Sequence, residues 1–273
     1  MAKKCRLDQL LVERGLVETR TKAQALVRAG DVFINGERRD KPGMSVPIEA
    51  EVVLRARPVW VGRGALKLDF ALAHFELSPD GLVCLDVGAS TGGFTEVLLA
   101  RGASRVYAVD VGRAQLAWKL RNDPRVINLE RTDIRALEAL PVPPALASVD
   151  VAFISLRAVL PAIAAHCLPG SPVVALVKPQ FEAGRSQVGK GGIVRDEEVH
   201  RQVLREVMTW ALARGWALVA AAPSPVLGGA GNREFLLQLR TPTGGHIAQN
   251  QDASEIDPLI NALIEDATAP AAP

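Results

Sequence analysis

Cysteine is scarce in this sequence. Cys5, Cys84 and Cys167 are scattered, odd in number and without C-x-x-C spacing. That pattern excludes a disulfide framework and fits a reducing cytoplasm. No apolar run approaches the ~18 residues of a membrane span. The opening MAKKCRLDQLLVERG is charged on both sides of a very short apolar run, unlike a signal peptide. His74, His166, His200 and His246 stand at no ligand spacing, so no metal is expected. Lysine and arginine are missing between Thr241 and Pro273, a stretch that holds five acids. This tail, residues 241–273, is expected to be mostly flexible, with one helix candidate around residues 259–264. Residues 1–64 are the opposite, with 13 Lys and Arg against 8 Asp and Glu. The overall net charge of +2 therefore hides a basic N-terminal module suited to a polyanionic partner. With 273 residues, 48% of them hydrophobic, the chain can bury one large domain or a large and a small one.

Residues 1–57 read as one small unit. RLDQLLVERG puts Leu7, Leu10, Leu11 and Val12 at helical spacing and stops at Gly15. TRTKAQALVRAG offers Thr19 as a cap, Ala23, Leu26 and Val27 as a buried stripe and Gly30 as the stop. DVFINGERR is a hairpin turning at Asn35-Gly36, and EVVLRA adds a strand. The series Arg6-Leu7-Asp8, Arg20, Ala23, Leu26-Val27, Gly30, Val32, Ile34, Asn35-Gly36 resembles the S4 RNA-binding domain. This α+β resemblance implies structured RNA as the ligand, met through backbone and shape, with Arg6, Arg20, Lys22 and Arg28 as basic contacts.

A connector, residues 58–64, leads to residues 65–240, where apolar β-branched runs alternate with helical stretches. Strand candidates lie at 82–88, 105–112, 125–130, 149–156 and 172–179, with a last one at 234–240. RQVLREVMTWALARG marks a helix with Val203 and Val207 on its buried face, joined by the preceding Val199 and closed by Gly215. Such alternation indicates an α/β fold with a parallel sheet covered on both faces. Ligands bind beyond the carboxyl ends of strands in these folds. At the first end stands LDVGASTGGFTEVLL, whose Gly88, Gly92 and Gly93 permit a tight turn and close backbone approach. The second strand ends in Asp110, where a carboxylate can accept hydrogen bonds from ribose hydroxyls, and Asp133 follows the third. Ser90 occupies the third position of G-A-S-T-G-G, so the loop is not the G-x-G-x-x-G of dinucleotide folds.

D-x-G-x-x-x-G-G-F resembles the S-adenosyl-L-methionine loop of Rossmann-like methyltransferases, especially the RrmJ/FtsJ ribose methylases. That resemblance implies this cofactor, with Asp86, Gly88, Ala89, Ser90, Thr91, Gly92, Gly93 and Phe94 around it. It also implies Asp110 on the ribose, Asp133 on the adenine amino group, and Ile134 among the contacts. Methylating a ribose 2′-hydroxyl requires removal of its proton and stabilisation of the oxyanion. A lysine can take that proton or orient the oxygen, and carboxylates must fix lysines that would otherwise repel. The RrmJ-like class uses Lys-Asp-Lys-Glu, and this chain offers Lys67, Asp150, Lys178 and Glu234 in that order. By resemblance Lys178 handles the hydroxyl and the other three position it.

The order S4 unit, R-G-A-x-K-L, D-V-G-A-S-T-G-G-F-T, D-V-x-F-I-S-L, K-P-Q-F-E-A-G-R…V-G-K-G-G and G-N-x-E-F-L closely resembles the TlyA proteins over roughly residues 5–240. These are cytoplasmic ribosomal-RNA cytidine 2′-O-methyltransferases often labelled hemolysins. The resemblance implies ribosomal RNA or ribosomal subunits as partners, and does not imply an oligomer. Departures are Ala152, where many members have Ser, Pro58 in the connector, and Asp133, commonly Asn in relatives.

Three other functions remain open at this level. A hemolysin-like protein lacks a spanning segment to work with. A non-catalytic RNA- or ribosome-binding protein needs neither the glycine loop nor the Lys-Asp-Lys-Glu set. A nucleotide hydrolase is suggested by FEAGRSQVGKGGIVRD, in which Gly184, Gly189 and Lys190 have phosphate-loop spacing. Gly191 stands where that loop needs Ser or Thr, and the stretch follows the fifth strand candidate rather than the first. A basic flap suits it better, with Arg185, Lys190 and Arg195 gripping the phosphates of RNA, and Arg63 as a further contact.

Overall fold

The computed structural model describes residues 3–55, 60–243 and 256–268. Pro58 and most of the acidic tail lie outside these. The chain divides into two compact units, Met1–Val59 and Trp60–Pro273.

The first unit runs β1 (Lys4–Arg6), α1 (Leu7–Glu13), α2 (Arg20–Ala29), β2 (Val32–Ile34), β3 (Glu37–Arg39), β4 (Ser45–Pro47) and β5 (Val52–Leu54). Thr19 caps α2 by accepting the Lys22 N–H, and Gly30 closes it in the left-handed region at φ 74°. Asn35 and Gly36, at φ 50° and 80°, make the tight β2–β3 turn. Leu7, Leu10 and Leu11 pack on Ala23, Val27, Val32 and Ile34 in one small core. Local pattern does not announce the pairing of β1 with β4, which draws Lys4 to Pro47 and Arg6 to Ser45.

The second unit runs α3 (Ala65–His74), β6 (Val83–Val87), α4 (Gly93–Ala100), β7 (Arg105–Asp110), α5 (Trp118–Arg121), β8 (Val126–Glu130), β9 (Leu146–Val149), α6 (Leu156–His166), β10 (Pro172–Val177), α7 (Pro179–Glu182), α8 (Glu197–Leu212), β11 (Ala217–Pro223), β12 (Phe235–Arg240) and α9 (Ile256–Thr268). Its seven strands lie in the order β11-β12-β10-β9-β6-β7-β8. Strands β6 to β10 pair in parallel, and β12 runs antiparallel between β10 and β11. Alternate residues of each strand enter different cores. Leu85, Tyr107, Ala147 and Ala175 pack with α6, α8 and α9, while Cys84, Val106, Leu146 and Val174 pack with α3, α4 and α5. Burial pushes the Cys84 and Cys167 thiols up to about 12, so neither is a nucleophile at neutral pH.

The chain leaves β6 toward β7 and β8, then returns to the other side of β6 as β9 and β10. That reversal opens a crevice at the carboxyl end of β6, where loops on either side diverge.

Three features differ from the sequence expectations. The fourth parallel strand is Leu146–Val149, not 149–156. Val149 is level with Val87, so the strand stops with β6, while β10 runs on from Ala175 to Val177. The apolar run beyond it lines a cavity, with Phe153 at φ 63° and Ser155 capping α6. The edge strand β11, rich in alanine, was not anticipated. Within the tail, the helix candidate around 259–264 is a helix and runs longer, over Ile256–Thr268. Ile256, Ile260, Leu263 and Ile264 recur on one face, which is buried in the core that holds α8.

Candidate active site

The carboxyl ends of the parallel strands deliver the chemistry-bearing residues to one edge of the sheet. Val177 pairs with Phe235 in antiparallel register, so Lys178 and Glu234 leave the sheet as neighbours. Val149 pairs with Ala175 in parallel register, which brings Asp150 to the same edge. Lys178 Nζ lies 2.5 Å from Asp150 Oδ1. From α3, Lys67 Nζ reaches Glu234 Oε2, also at 2.5 Å. The first pair is largely buried, with side chains 12% and 19% exposed, and the second more so, at 10% and 2%. A Cβ on Gly64, at the start of α3, would lie 3.7 Å from Asp150 Oδ2. The α3 end thus packs against the first ion pair while its Lys67 makes the second. Each ammonium has its own carboxylate, which removes the repulsion expected of two lysines so close to one edge.

Next to these pairs is a cavity of about 530 Å³. Gly88, Ser90, Asp110, Asp133 and Asp150 supply its polar lining, and Val87, Val109, Ile134, Val151 and Val159 its apolar wall. That size and mixture suit a nucleoside-sized cofactor. Asp110 accepts the N–H of Ser90 at 2.8 Å and of Gly112 at 2.6 Å, which keeps lone pairs free on both oxygens. Asp133 caps the turn Ile134–Ala136 and accepts from Arg135, whose guanidinium holds its carboxyl below the usual range. A smaller cavity of about 120 Å³ shares Gly88, Ser90 and Asp150, and adds Arg63, Ala89, Thr91, Gly93 and Phe94. Phe94 is otherwise packed in the core.

Two expected cofactor contacts line neither cavity. Gly92 is at φ 95°, and a Cβ there would meet Leu120 Cδ1 at 2.2 Å, so it is glycine for packing against α5. Gly88, at φ 84°, is glycine for a similar reason: a Cβ would lie 2.4 Å from the Asp150 carbonyl oxygen. Asp86 is fully buried beneath the loop, where it accepts from Thr95 Oγ1 at 2.6 Å and Ser148 Oγ at 3.2 Å. It supports the loop from below and does not face the cavity.

Burial, aided by the charge of Asp150 and opposed by the two hydroxyls, pushes the Asp86 carboxyl up to about 7. The folded state therefore holds this proton more tightly than the unfolded chain does. Stability from it is fully present below about pH 4, the range of an unfolded aspartate, and is lost as the pH rises to about 7. Asp86→Asn removes that loss. Its melting temperature relative to the unaltered protein should climb between pH 4 and 7 and then level off. A difference that stays constant with pH would show that Asp86 does not titrate in this way.

The basic residues fall into two sets. In the first unit, buried Asp8 accepts from Arg6 Nε and Nη2 at 3.0 Å each, from Arg20 Nε at 3.0 Å, and from Gln24 at 2.9 Å. The Arg6 hydrogen bonds lead in holding the Asp8 carboxyl far below the usual range. Two half-exposed guanidinium groups are thereby fixed with N–H donors still free. Lys22 pairs with Glu18, and Arg28 is exposed. In the second unit, Arg185, Lys190 and Arg195 are exposed side chains of the segment that follows α7. Their segment is tied at its root: Asn232 Oδ1 accepts the Val194 N–H at 3.0 Å, and its amide donates to Gly192 O at 2.9 Å. Gly184, Gly189 and Gly192 spend their N–H groups on Gln187 Oε1, Ile193 O and Gly189 O. A phosphate loop needs those N–H groups free, so the spacing around Gly184 does not make one.

Several supporting residues escaped sequence reasoning. Glu182 accepts from Ser155 Oγ and the Leu156 N–H, both at 2.6 Å, and so binds α7 to the start of α6. Gly228 leaves room for Glu234, whose Oε1 would lie 2.0 Å from a Cβ there. Ser148 carries no motif spacing, and Thr95 stands only as the closing residue of D-V-G-A-S-T-G-G-F-T. The only signal for Glu182 and Gly228 is their place in K-P-Q-F-E and beside G-N-R-E.

A parallel sheet with a reversal at its first strand, and paired lysines and carboxylates beyond the strand ends, is the architecture of a methyltransferase. Residues 60–241 match the FtsJ-like methyltransferase family and residues 5–52 the S4 domain. The chain is 47% identical over 247 residues to the 16S/23S rRNA (cytidine-2′-O)-methyltransferase TlyA of Mycobacterium tuberculosis, covering 89% of this chain and 92% of that one. It is 38% identical over 235 residues to Hemolysin A of Brachyspira hyodysenteriae, covering 85% and 98%. A solved structure from Streptococcus thermophilus, described as a candidate hemolysin, is 44% identical with a TM-score of 0.70, covering 97% of this chain and 98% of that one. The chain belongs to the TlyA family of S4-containing, FtsJ-like methyltransferases.

Proposed function

We propose that the protein methylates the ribose 2′-hydroxyl of a cytidine in ribosomal RNA, with S-adenosyl-L-methionine as cofactor. The observation that carries this is the pair of buried lysine–carboxylate ion pairs at the edge of the cofactor-sized cavity. The 47% identical relative named as a cytidine 2′-O-methyltransferase supports the choice of substrate. Bound S-adenosyl-L-methionine supplies a methyl group carried on a positively charged sulfur. Asp110 would hold its ribose hydroxyls, Asp133 its adenine amino group, and Ile134 and Val109 its ring.

Lys178 meets the 2′-oxygen of the acceptor. Its ammonium orients that oxygen and stabilises the negative charge that grows as the 2′-proton passes to solvent and the methyl group leaves its sulfur for the oxygen. Asp150 anchors Lys178, and the Lys67–Glu234 pair fixes the neighbouring wall. Arg185, Lys190 and Arg195 grip the acceptor's phosphates, and Arg63 adds to them. Arg6 and Arg20, pre-ordered by Asp8, bind RNA backbone with little entropy left to lose, with Lys22 and Arg28 beside them. A ribosomal-RNA substrate implies a cytoplasmic setting. No helix among the described residues is long and apolar enough to cross a membrane.

Mapping 2′-O-methyl groups on ribosomal RNA from cells with and without the protein tests the proposal. A cytidine mark that appears only with the protein is expected. Identical maps would overturn the function.

A further inference from the structure

Beyond the strand ends, the two segments that carry Asp150 and Lys178 are joined a second time. The first join is the ion pair itself, Lys178 Nζ to Asp150 Oδ1 at 2.5 Å. Further along the same two segments stand Ser155 and Glu182. Glu182 Oε2 accepts from the Ser155 hydroxyl and Oε1 from the Leu156 N–H, both at 2.6 Å. Ser155 Oγ accepts in turn from the Arg157 N–H at 3.1 Å and from Arg157 Nε at 3.2 Å. Arg157 Nε also lies 3.7 Å from Glu182 Oε2, and the Glu182 side chain is 2% exposed. A carboxylate is held at such depth when N–H and O–H donors, a helix N-terminus and a cation compensate it, and all of these are present. Between the two joins the rings of Phe153 and Phe181 lie 4.9 Å apart.

The two sides of this clamp are unequal. Helix α6 has 11 residues, a buried face of Leu156, Val159, Leu160 and Ile163, and its own cap in Ser155. Helix α7 is a single turn of 4 residues whose buried members are Pro179 and Glu182. So short a helix has no stability of its own and stands only where tertiary contacts fix it. Lys178 is the residue that caps this turn, so the place of its ammonium depends on what anchors α7. Of the two helices, α7 is therefore the one that needs the clamp.

We propose that Glu182 is a positioning residue for methyl transfer: by locking α7 to the start of α6, it fixes the Lys178 ammonium where the acceptor oxygen meets it. The proposal rests on the ribose-methylation reading above, which gives Lys178 that oxygen. Glu182 acts through the lysine and not on the cofactor, since it belongs to the lining of neither the cofactor cavity nor the smaller one beside it. Displacing a reacting group by about 1 Å can slow a reaction by about 10²-fold.

The test uses the full chain, S-adenosyl-L-methionine with a labelled methyl group, and ribosomal subunits from cells that lack the protein. Each variant is assayed below its melting temperature, with calorimetric cofactor titration as the measure of folding. Glu182→Ala should lower kcat by about 10- to 100-fold, with cofactor affinity and KM for the subunits nearly unchanged. Glu182→Gln keeps an oxygen for the Leu156 N–H and an amide donor for Ser155 Oγ, so it should recover most of the rate. The deciding comparison adds Lys178→Ala. If Glu182 acts through the lysine, the double variant should be no slower than Lys178→Ala alone. Should Glu182→Ala fail to fold, Ser155→Ala loosens the same join and carries the same comparison. A lower melting temperature with unchanged kcat would show a helix cap and nothing more, which overturns the proposal. Losses that multiply in the double variant, or a Glu182→Gln variant as slow as Glu182→Ala, would overturn it too. An unaltered protein that transfers no methyl group would instead defeat the methylation reading, and any positioning role with it.

Discussion

Lys178→Ala is expected to lower methyl transfer to ribosomal RNA by about 10²–10⁴-fold while cofactor affinity stays nearly unchanged. Lys178 is the capping residue of the short helix α7, at the exit of β10, and its ammonium is held by Asp150. It does not line the cofactor cavity, so its removal should not disturb binding there. On the proposed mechanism, what disappears is the positive charge that meets the 2′-oxygen as it becomes an oxyanion. The loss should therefore fall on kcat more than on KM for RNA. Methyl incorporation from labelled cofactor and calorimetric cofactor titration measure the two sides separately. Full activity in Lys178→Ala would end the catalytic assignment; lost cofactor binding would mean the lysine shapes the cavity instead.

The second large effect concerns stability. Lys67→Met strips the partner from Glu234, whose side chain is 2% exposed. A buried carboxylate without its cation costs about 3–5 kcal/mol, which for a chain of this size lowers the melting temperature by about 6–20 °C. Lys67→Met combined with Glu234→Leu replaces the ion pair by apolar volume. The double variant should recover most of the lost stability, because such replacements are often neutral or stabilising. It should not recover methyl transfer, since the charge arrangement around Lys178 remains incomplete. Thermal unfolding of the single and double variants decides the matter. A single variant as stable as the unaltered protein would show that water reaches Glu234 freely.

Both effects concern residues that stand far apart in the chain: Lys67 and Glu234 are separated by 167 positions. Their residue types and order were readable, because the resemblance to the ribose methylases runs through long motifs. The two pairings were not, since spacing along a chain says nothing about which lysine meets which carboxylate. Strand register decides that. The antiparallel pairing of β12 on β10 sets Glu234 beside Lys178, and the parallel pairing of β9 on β10 delivers Asp150.

The glycine loop shows the same division. Its tight turn after the first strand was evident from Gly88, Gly92 and Gly93. Their reasons were only partly so, because two of the three are glycine to let Asp150 and Leu120 approach. Asp86 was placed at the cofactor by its position in the motif, yet it lies under the loop, bound by Thr95 and Ser148. The run 149–156 misled because lining a cavity and filling a strand call for the same apolar, β-branched residues.

Sequence by itself determined the alternation of strands and helices and the glycine turn after the first strand and, by resemblance, the S4-like unit and the candidate Lys-Asp-Lys-Glu set. These depend on local periodicity, turn chemistry and contiguous motifs, all written in neighbouring residues. Tertiary structure alone decided the ion-pair partners, the burial of Asp86, and how far the tail helix extends and what its apolar face packs on. Each of these depends on which surfaces meet when the sheet closes, and that is a property of packing between distant segments.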